Sequence, residues 1–211
     1  SPLVAQEYRI PNIWQGDLDS EVGKTMVNCD ADGPLSLMIT KIWMDPHAGE
    51  VAVGRVYSGT IKQGESVWAS GAGKAERVQQ VSMMVGGDRI QVPGVSAGNI
   101  AALTGVRSAA AGVTITRDKD ETPFEAIRHY SEPVVTVAIE PKSMKDLPKF
   151  IGALRSLAKS DASLSVDTNH ETGEALLSGM GELHLEITIY RLEEEQGIKV
   201  NQSNPIVVYR E

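Results

Sequence analysis

Apolar and polar side chains alternate in short runs between residues 35 and 116, and glycine-rich turns separate these runs. Such alternation is typical of strands that bury one face. Because the runs recur at a spacing of about 8–12 residues, they predict an all-β barrel or sandwich. Residues 61–64 are predicted as a turn. The predicted strands cover residues 35–43, 49–59, 66–69, 78–85, 90–92, 99–103 and 113–116.

The pattern changes after a polar stretch at residues 117–132. A strand at residues 134–140 ends at Pro141, and apolar residues then recur at helical spacing from Met144 to Ala158. Ser143 or Asp146 is expected to cap this helix, because both residue types accept hydrogen bonds from a first helical turn. A hairpin of residues 164–168 and 174–178 follows. With a second helix and a last strand, the order βαββαβ predicts a ferredoxin-like sandwich.

The second helix of this half has an ambiguous pattern. Residues 183–189 alternate as in a strand, but the helix-forming run 191–196 followed by Gly197 favours a helix. Two apolar stripes then run along it, and both are expected to pack on the sheet. The stripes are Leu183, Ile187 and Tyr190, and Leu185, Ile189 and Leu192.

A corner precedes that helix at Gly179-Met180-Gly181-Glu182, with His184 in the first turn. Two glycines where a strand gives way to a helix suggest backbone with φ > 0. Gly181→Val is therefore expected to destabilise the second half of the chain, because β-branched residues resist such backbone. Glu182 at the start of the helix is explained by the helix macrodipole.

Charge and composition limit the classes of function. The 211 residues carry a formal net charge of −8, which argues against an unspecific nucleic-acid coat, since such a coat needs a basic surface. Cys29 is the only cysteine, so a disulfide or cysteine-built metal site is not expected. No apolar run approaches the ~18 residues of a membrane span. The chain starts at Ser1 and ends on an apparent strand, which suggests a piece of a larger cytoplasmic protein.

Motifs of nucleotide and metal chemistry fail at named positions. Gly71–Ala75 resembles the end of a phosphate-binding loop, but Ala75 stands where Ser or Thr is needed. Asn28–Gly33 resembles the start of a calcium loop, but its twelfth position is Ile39 instead of Glu. The four histidines show no ligand spacing. No catalytic residue, nucleotide site or metal site is therefore expected in this chain.

Basic residues lie in or beside the turns of the β-rich half. Ordinary surface charge is one explanation, and contact with RNA phosphate is the other. The candidates for RNA contact are Arg55 and Lys62.

Several longer motifs resemble a known family. Residues 49–64 (GEVAVGRVYSGTIKQG) and 97–105 (AGNIAALTG) are similar to the barrel of translational GTPases. Residues 146–149 (DLPK), 157–161 (LAKSD) and 179–187 (GMGELHLEI) are similar to the third domain of the archaeal and eukaryotic elongation factor 2 family. The archaeal members appear more similar because Ala162 stands where Pro commonly follows Ser-Asp. The resemblance covers nearly the whole chain.

The resemblance implies a multidomain architecture, in which an all-β Greek-key barrel of the domain II type precedes the βαββαβ ferredoxin-like domain III. The implied divisions are a lead-in (1–22), domain II (23–122), a linker (123–132), domain III (133–205) and the start of domain IV (206–211).

The implied parent is the GTP-dependent ribosomal translocase, which moves tRNA and mRNA and needs GTP and Mg²⁺ in a G domain outside this chain. The implied partners are small-subunit ribosomal RNA, a small-subunit ribosomal protein, and the G domain and domains IV–V of the same parent. The chain itself would be monomeric, need no cofactor, and relay movement through a corner formed by Gly179, Gly181, Glu182 and His184. An alternative is a stand-alone sensor of small molecules with a ferredoxin-like ligand domain.

Overall fold

The structure is a computed structural model, and it describes residues 9–45, 47–72, 74–86, 88–125, 134–161, 163–168 and 174–203. The chain divides into two compact units, Ser1–Ile127 (unit 1) and Arg128–Glu211 (unit 2). Most of the predicted linker and all of the predicted domain IV stub lie outside the described residues. The predicted domain boundaries remain predictions.

Unit 1 is built mainly from antiparallel strands. Within the described part of this unit, one sheet has the strand order β5-β4-β10-β1-β2-β9-β6-β7, and β3 pairs separately with β8. The strands are β1 (Ser36–Asp45), β2 (Gly49–Ser58), β3 (Thr60–Lys62), β4 (Ser66–Ala69), β5 (Glu76–Arg77), β6 (Gln80–Val85), β7 (Asp88–Gln91), β8 (Gly94–Ser96), β9 (Ile100–Thr104) and β10 (Thr114–Thr116).

The core of unit 1 comes from the alternation read in the sequence. Leu37, Ile39 and Ile42 of β1 are buried, and Val56 of β2 packs in the same cluster. The register between β1 and β2 shifts between Ile39 and Lys41, so both halves of the long β1 keep an apolar face inward.

Three short strands, β3, β5 and β8, lie where the sequence predicts no strand. Residues 60–62 form β3 rather than a turn, because they pair with β8 about thirty residues later. β5 was likewise not predicted, and it pairs with β4 over two positions. Such short strands depend on a distant partner and carry no alternation of their own.

Two helical segments precede the strands of unit 1, in a stretch where the sequence pattern predicts no helix. Residues 9–13 are helical (α1), and α2 covers Glu21–Val27. The Ser20 hydroxyl accepts a hydrogen bond from the amide of Gly23 at 3.1 Å and caps α2.

These segments bury a second apolar cluster against the outside of β1 and β2. The cluster consists of Ile10, Trp14, Met26, Met38, Tyr57 and Phe124. The Trp14 indole N–H donates to the Thr122 carbonyl at 2.9 Å, and the Glu125 amide donates to the Ile13 carbonyl at 2.8 Å. The beginning and the end of the described part of unit 1 are therefore joined to each other.

Unit 2 has the predicted order βαββαβ. Its described elements are β11 (Val135–Pro141), α3 (Leu147–Ser160), β12 (Ser165–Thr168), β13 (Ala175–Gly179), α4 (Glu182–Gln196) and β14 (Val200–Ser203). Antiparallel pairing gives the strand order β12-β13-β11-β14, which is that of a ferredoxin-like sandwich. The prediction of this fold is confirmed.

The start of α3 differs from the prediction. A 3₁₀ turn at Met144–Asp146 leads into the helix, and neither Ser143 nor Asp146 makes a side-chain capping bond. Pro148 lies in the first turn of α3, where its missing amide hydrogen costs nothing.

Only one of the two apolar stripes of α4 packs on the sheet. Leu185, Ile189 and Leu192 are buried. The stripe of Leu183, Ile187 and Tyr190 is exposed, at 68%, 50% and 64% respectively. The expectation that both stripes face the sheet is therefore wrong, because the two stripes lie on opposite sides of the helix.

Candidate functional site

The corner before α4 does not use the backbone that the sequence suggested. Gly181, the N-cap of α4, has φ 168° and ψ 171°, which is extended backbone open to any residue. A Cβ added there would meet nothing within 4 Å. The reason given for the destabilisation by Gly181→Val therefore does not hold.

Gly179 at the end of β13 is the glycine that the corner requires. It is buried, and an added Cβ would lie 2.8 Å from Leu185 Cδ2 and 2.9 Å from His184 Nδ1. Any side chain at this position would push against the first turn of α4. Gly179 is thus a site of close approach between strand and helix.

His184 joins the corner to the end of α3. Its Nδ1 accepts a hydrogen bond from the Met180 amide at 3.1 Å, and its Nε2 lies 3.0 Å from Asp161 Oδ2. Because Nδ1 accepts, the proton of the neutral ring is on Nε2, which donates to Asp161. A doubly protonated ring would lose the bond from Met180.

Asp161 is held as a carboxylate by hydrogen bonds. Burial raises the pKa of this carboxyl, but bonds from the Ser163 hydroxyl and amide and from His184 outweigh burial, so the pKa is lowered. The Ser163 amide and hydroxyl lie 2.9 Å and 2.6 Å from Asp161 Oδ1. His184 thus bridges a carboxylate that ends α3 and an amide that begins α4.

This geometry predicts an acid-sensitive contribution to the stability of unit 2. Since the folded pKa of Asp161 is lowered, its contribution is present above the ordinary pKa of about 4 and is lost as pH falls below that value. Asp161→Asn should therefore flatten the dependence of the unfolding free energy on pH below about pH 4. Urea unfolding at a series of pH values, followed by helical circular dichroism, measures this dependence. The control is Asp167→Asn, at an exposed position of β12. An unchanged slope in Asp161→Asn would contradict the assignment.

Glu182 occupies the first turn of α4 and is exposed. A carboxylate there interacts favourably with the positive end of the helix dipole. The helix dipole therefore explains an acidic residue at this position, and no bound ligand is needed to account for it.

Arg55 is half-buried on β2, with its Cζ 5.6 Å from the centroid of the Tyr57 ring. Burial raises the pKa of Tyr57, and the positive charge of Arg55 offsets part of this increase. Arg55 therefore faces the cluster beside α1 and α2, where a guanidinium stabilises the fold.

Lys62 is exposed at the end of β3, and its backbone amide donates to Glu65 Oε2 at 3.0 Å. Arg55 lies in the eight-stranded sheet and Lys62 in the two-stranded one. The two candidates thus lie in different sheets of unit 1.

Metal and membrane features are not found in the part of the chain that the structure describes. Its His, Cys, Asp and Glu side chains form no group of three or more that could hold a metal ion. None of the described helices is long and apolar enough to cross a bilayer. His129 and His170 lie outside the described residues.

Sequence patterns did not reveal Asp161 as the partner of His184, nor Ser163 as the donor that holds Asp161. Asp161 lies 23 positions before His184, and no periodicity links the two. Only the packing of α3 against α4 reveals the pair.

Two family profiles match separate parts of the chain. Residues 49–116 match domain 2 of elongation factor Tu, and residues 130–204 match domain III of elongation factor G. The first match lies in unit 1, and the second lies in unit 2.

Curated archaeal proteins are similar along the entire chain. Elongation factor 2 of Thermoplasma acidophilum is 56% identical over 210 residues, that of Picrophilus torridus 56% over 211, and that of Pyrococcus furiosus 54% over 211. Each alignment covers 100% of this chain and 29% of the relative. The chain therefore spans less than a third of the length of these relatives.

Proposed function

The chain belongs to the elongation factor 2 family, and from this premise we propose that it acts as the domain II and domain III part of a GTP-driven ribosomal translocase. The observation that carries the proposal is the 54–56% identity in alignments that cover the whole chain and so include both units. The order of the units, a domain II-type β unit and then a domain III-type unit, agrees with it.

The proposed division of labour leaves chemistry to other parts of the parent protein. GTP and Mg²⁺ bind a G domain outside this chain, and the chain itself hydrolyses nothing. Unit 1 contacts small-subunit ribosomal RNA, and unit 2 lies next to a small-subunit ribosomal protein. The chain works in the cytoplasm, is monomeric by itself, and is covalently continuous with the G domain and domains IV–V.

The relay of movement is assigned to the corner before α4. His184 couples the end of α3 to the beginning of α4 through two hydrogen bonds. Gly179 lets the two elements approach closely. Because these contacts are short and specific, the helices of unit 2 would respond to a push as one body instead of separately.

The two RNA-contact candidates carry different weight. The guanidinium of Arg55 already stabilises the cluster around Tyr57, so its replacement would disturb the fold. Lys62 is exposed on a short strand, and an exposed ammonium suits contact with phosphate. Lys62 is therefore the residue on which the proposed RNA contact is tested.

Lys62→Glu should weaken ribosome binding of the full-length protein that contains this chain. If Lys62 neutralises one phosphate, the slope of log affinity against log salt should fall by about 1. Co-sedimentation with ribosomes over a salt series measures both quantities. The matched control is Lys41→Glu, which makes the same charge change at an exposed position of β1. Equal effects of both variants would show that Lys62 is ordinary surface charge and not a specific contact with RNA phosphate.

A further inference from the structure

A cavity of about 350 Å³ opens in unit 1, apart from the candidate residues described above. Its walls are the end of β4 with the turn that follows it, β10, and the loop before Phe124. This volume lies at the lower end of the range for sites of small organic ligands. The side chains that give it chemical character are Trp68, Lys119 and Glu121.

Glu121 is an incompletely satisfied carboxyl. Its Oε1 is buried and has no hydrogen-bond partner among the residues that the structure describes. Burial, and then the charge of Asp118, raise the pKa of Glu121 to about 7, while Arg117 acts in the opposite direction. A cation beside this carboxyl would compensate the cost of its negative charge.

Trp68 already attracts an ammonium group. The Nζ of Lys119 lies 5.8 Å from the centroid of the indole ring, which is within the range of a cation–π interaction. The indole face is therefore a place where a positive charge is stabilised. A ligand cation would displace the Lys119 ammonium from the face of the Trp68 indole ring.

The charges around the cavity favour a cation. Glu121 and Lys119 line the cavity with opposite charges, and Asp118, which is close enough to raise the pKa of Glu121, adds a second acidic group outside the lining. Arg117 is engaged elsewhere, because its Nη2 lies 2.7 Å from Glu65 Oε1 and 2.7 Å from the Thr60 carbonyl. β4, its following turn and β10 contribute only uncharged residues to the lining.

We propose that this cavity binds an alkylammonium group, with its N–H donors on the Glu121 carboxylate and its methylene chain along Trp68. The same chemistry occurs in a free polyamine and in a lysine side chain of another protein. The proposal does not depend on the proposed ribosomal function, because it rests only on the cavity and its charges.

Binding of an ammonium group favours the ionised form of Glu121, so it releases a proton wherever that carboxyl is protonated in the free protein. The affinity should therefore rise by up to about tenfold per pH unit below pH 7 and level off above it. A site made only of ordinary surface carboxylates would show no such rise in this range.

The test is calorimetric titration of the folded chain with spermidine at pH 5.5, 6.5 and 7.5, in low salt. Glu121→Gln should lose about tenfold in affinity at pH 7.5 and lose the pH dependence. Lys119→Ala should bind several-fold more tightly, because the competing ammonium is gone. Asp120→Asn, which removes an exposed charge from the same loop, should bind like the unchanged protein.

Two results would overturn the proposal: no binding heat in the unchanged protein, or equal losses in Glu121→Gln and Asp120→Asn. Tryptophan fluorescence of each variant establishes that unit 1 is folded. A parallel titration with N-acetyl-lysine methylamide distinguishes the two sources of the alkylammonium group, a free polyamine and a lysine side chain. Tighter binding of spermidine indicates a free polyamine, and equal binding per ammonium group indicates a lysine side chain.

Discussion

Gly59→Ala should lower the unfolding free energy of unit 1 by about 2–5 kcal/mol, whereas Gly49→Ala should lower it by about 1–2 kcal/mol. Both glycines have left-handed backbone, with φ 74° and 73°. A methyl group at Gly59 would lie 2.7 Å from the Gly33 carbonyl oxygen and 2.8 Å from Leu35 Cα. At Gly49 it would meet nothing within 4 Å.

The difference between the stability losses of the two variants separates the cost of the steric clash from the cost of the left-handed backbone. Left-handed backbone costs an alanine about 1–2 kcal/mol at either position. Backbone atoms cannot move aside as a flexible side chain can, so overpacking adds about 1–3 kcal/mol at Gly59 alone. Gly59 lies in the stretch 49–64 that resembles the translational GTPase barrel, and the collision gives a physical reason for glycine there.

Urea unfolding followed by tryptophan fluorescence measures this pair of variants. The chain has three tryptophans, and Trp14, Trp43 and Trp68 all lie in unit 1. Their fluorescence therefore reports the unfolding of unit 1 and not that of unit 2. Equal losses of stability in the two variants would show that the Gly33 and Leu35 backbone moves away from position 59.

The second large effect is expected at the corner before α4. Gly179→Ala should lower the unfolding free energy of unit 2 by about 2 kcal/mol, because the new methyl group would press on Leu185 and His184. Gly181→Ala should change it by no more than about 0.5 kcal/mol. There the smaller entropy of the unfolded chain favours alanine, while the N-cap position disfavours it.

Helical circular dichroism measures these variants, because α3 and α4 are the two long helices among the described elements. Hydrogen exchange at the Met180 amide adds a local measurement, since this amide donates to His184. Gly179→Ala should speed that exchange and Gly181→Ala should not. A larger loss in Gly181→Ala than in Gly179→Ala would restore the original expectation for Gly181.

The sequence predicted the elements whose signal is local. The apolar stretches located the long strands β1 and β2 to within about two residues. Each strand also contains consecutive buried residues, because Met38 and Tyr57 pack in the second cluster on the other face. The order of unit 2 followed from the change of period between Val137 and Leu157. The helix α2 has only seven residues and includes Gly23, a poor helix former, so Ser20 is its only clear signal in the sequence.

Other features depend on contacts that the sequence does not encode locally. β3 and β8 are strands only because they meet each other. The stripe with Leu185 and the stripe with Leu183 are equally apolar, so the sequence could not say which one faces the sheet. The pairing of His184 with Asp161 required the packing of α3 and α4.

The junction at Trp14 has a mechanical consequence. The segment entering unit 1 and the segment leaving it are joined by the Trp14–Phe124 bridge and by the bonds from Trp14 to Thr122 and from Glu125 to Ile13. Tension applied across these two segments is carried first by this small set of bonds. Phe124 is also bonded to Thr114 of β10 and packs on Tyr57 of β2, so force that passes this set of bonds enters the sheet at β10 and β2.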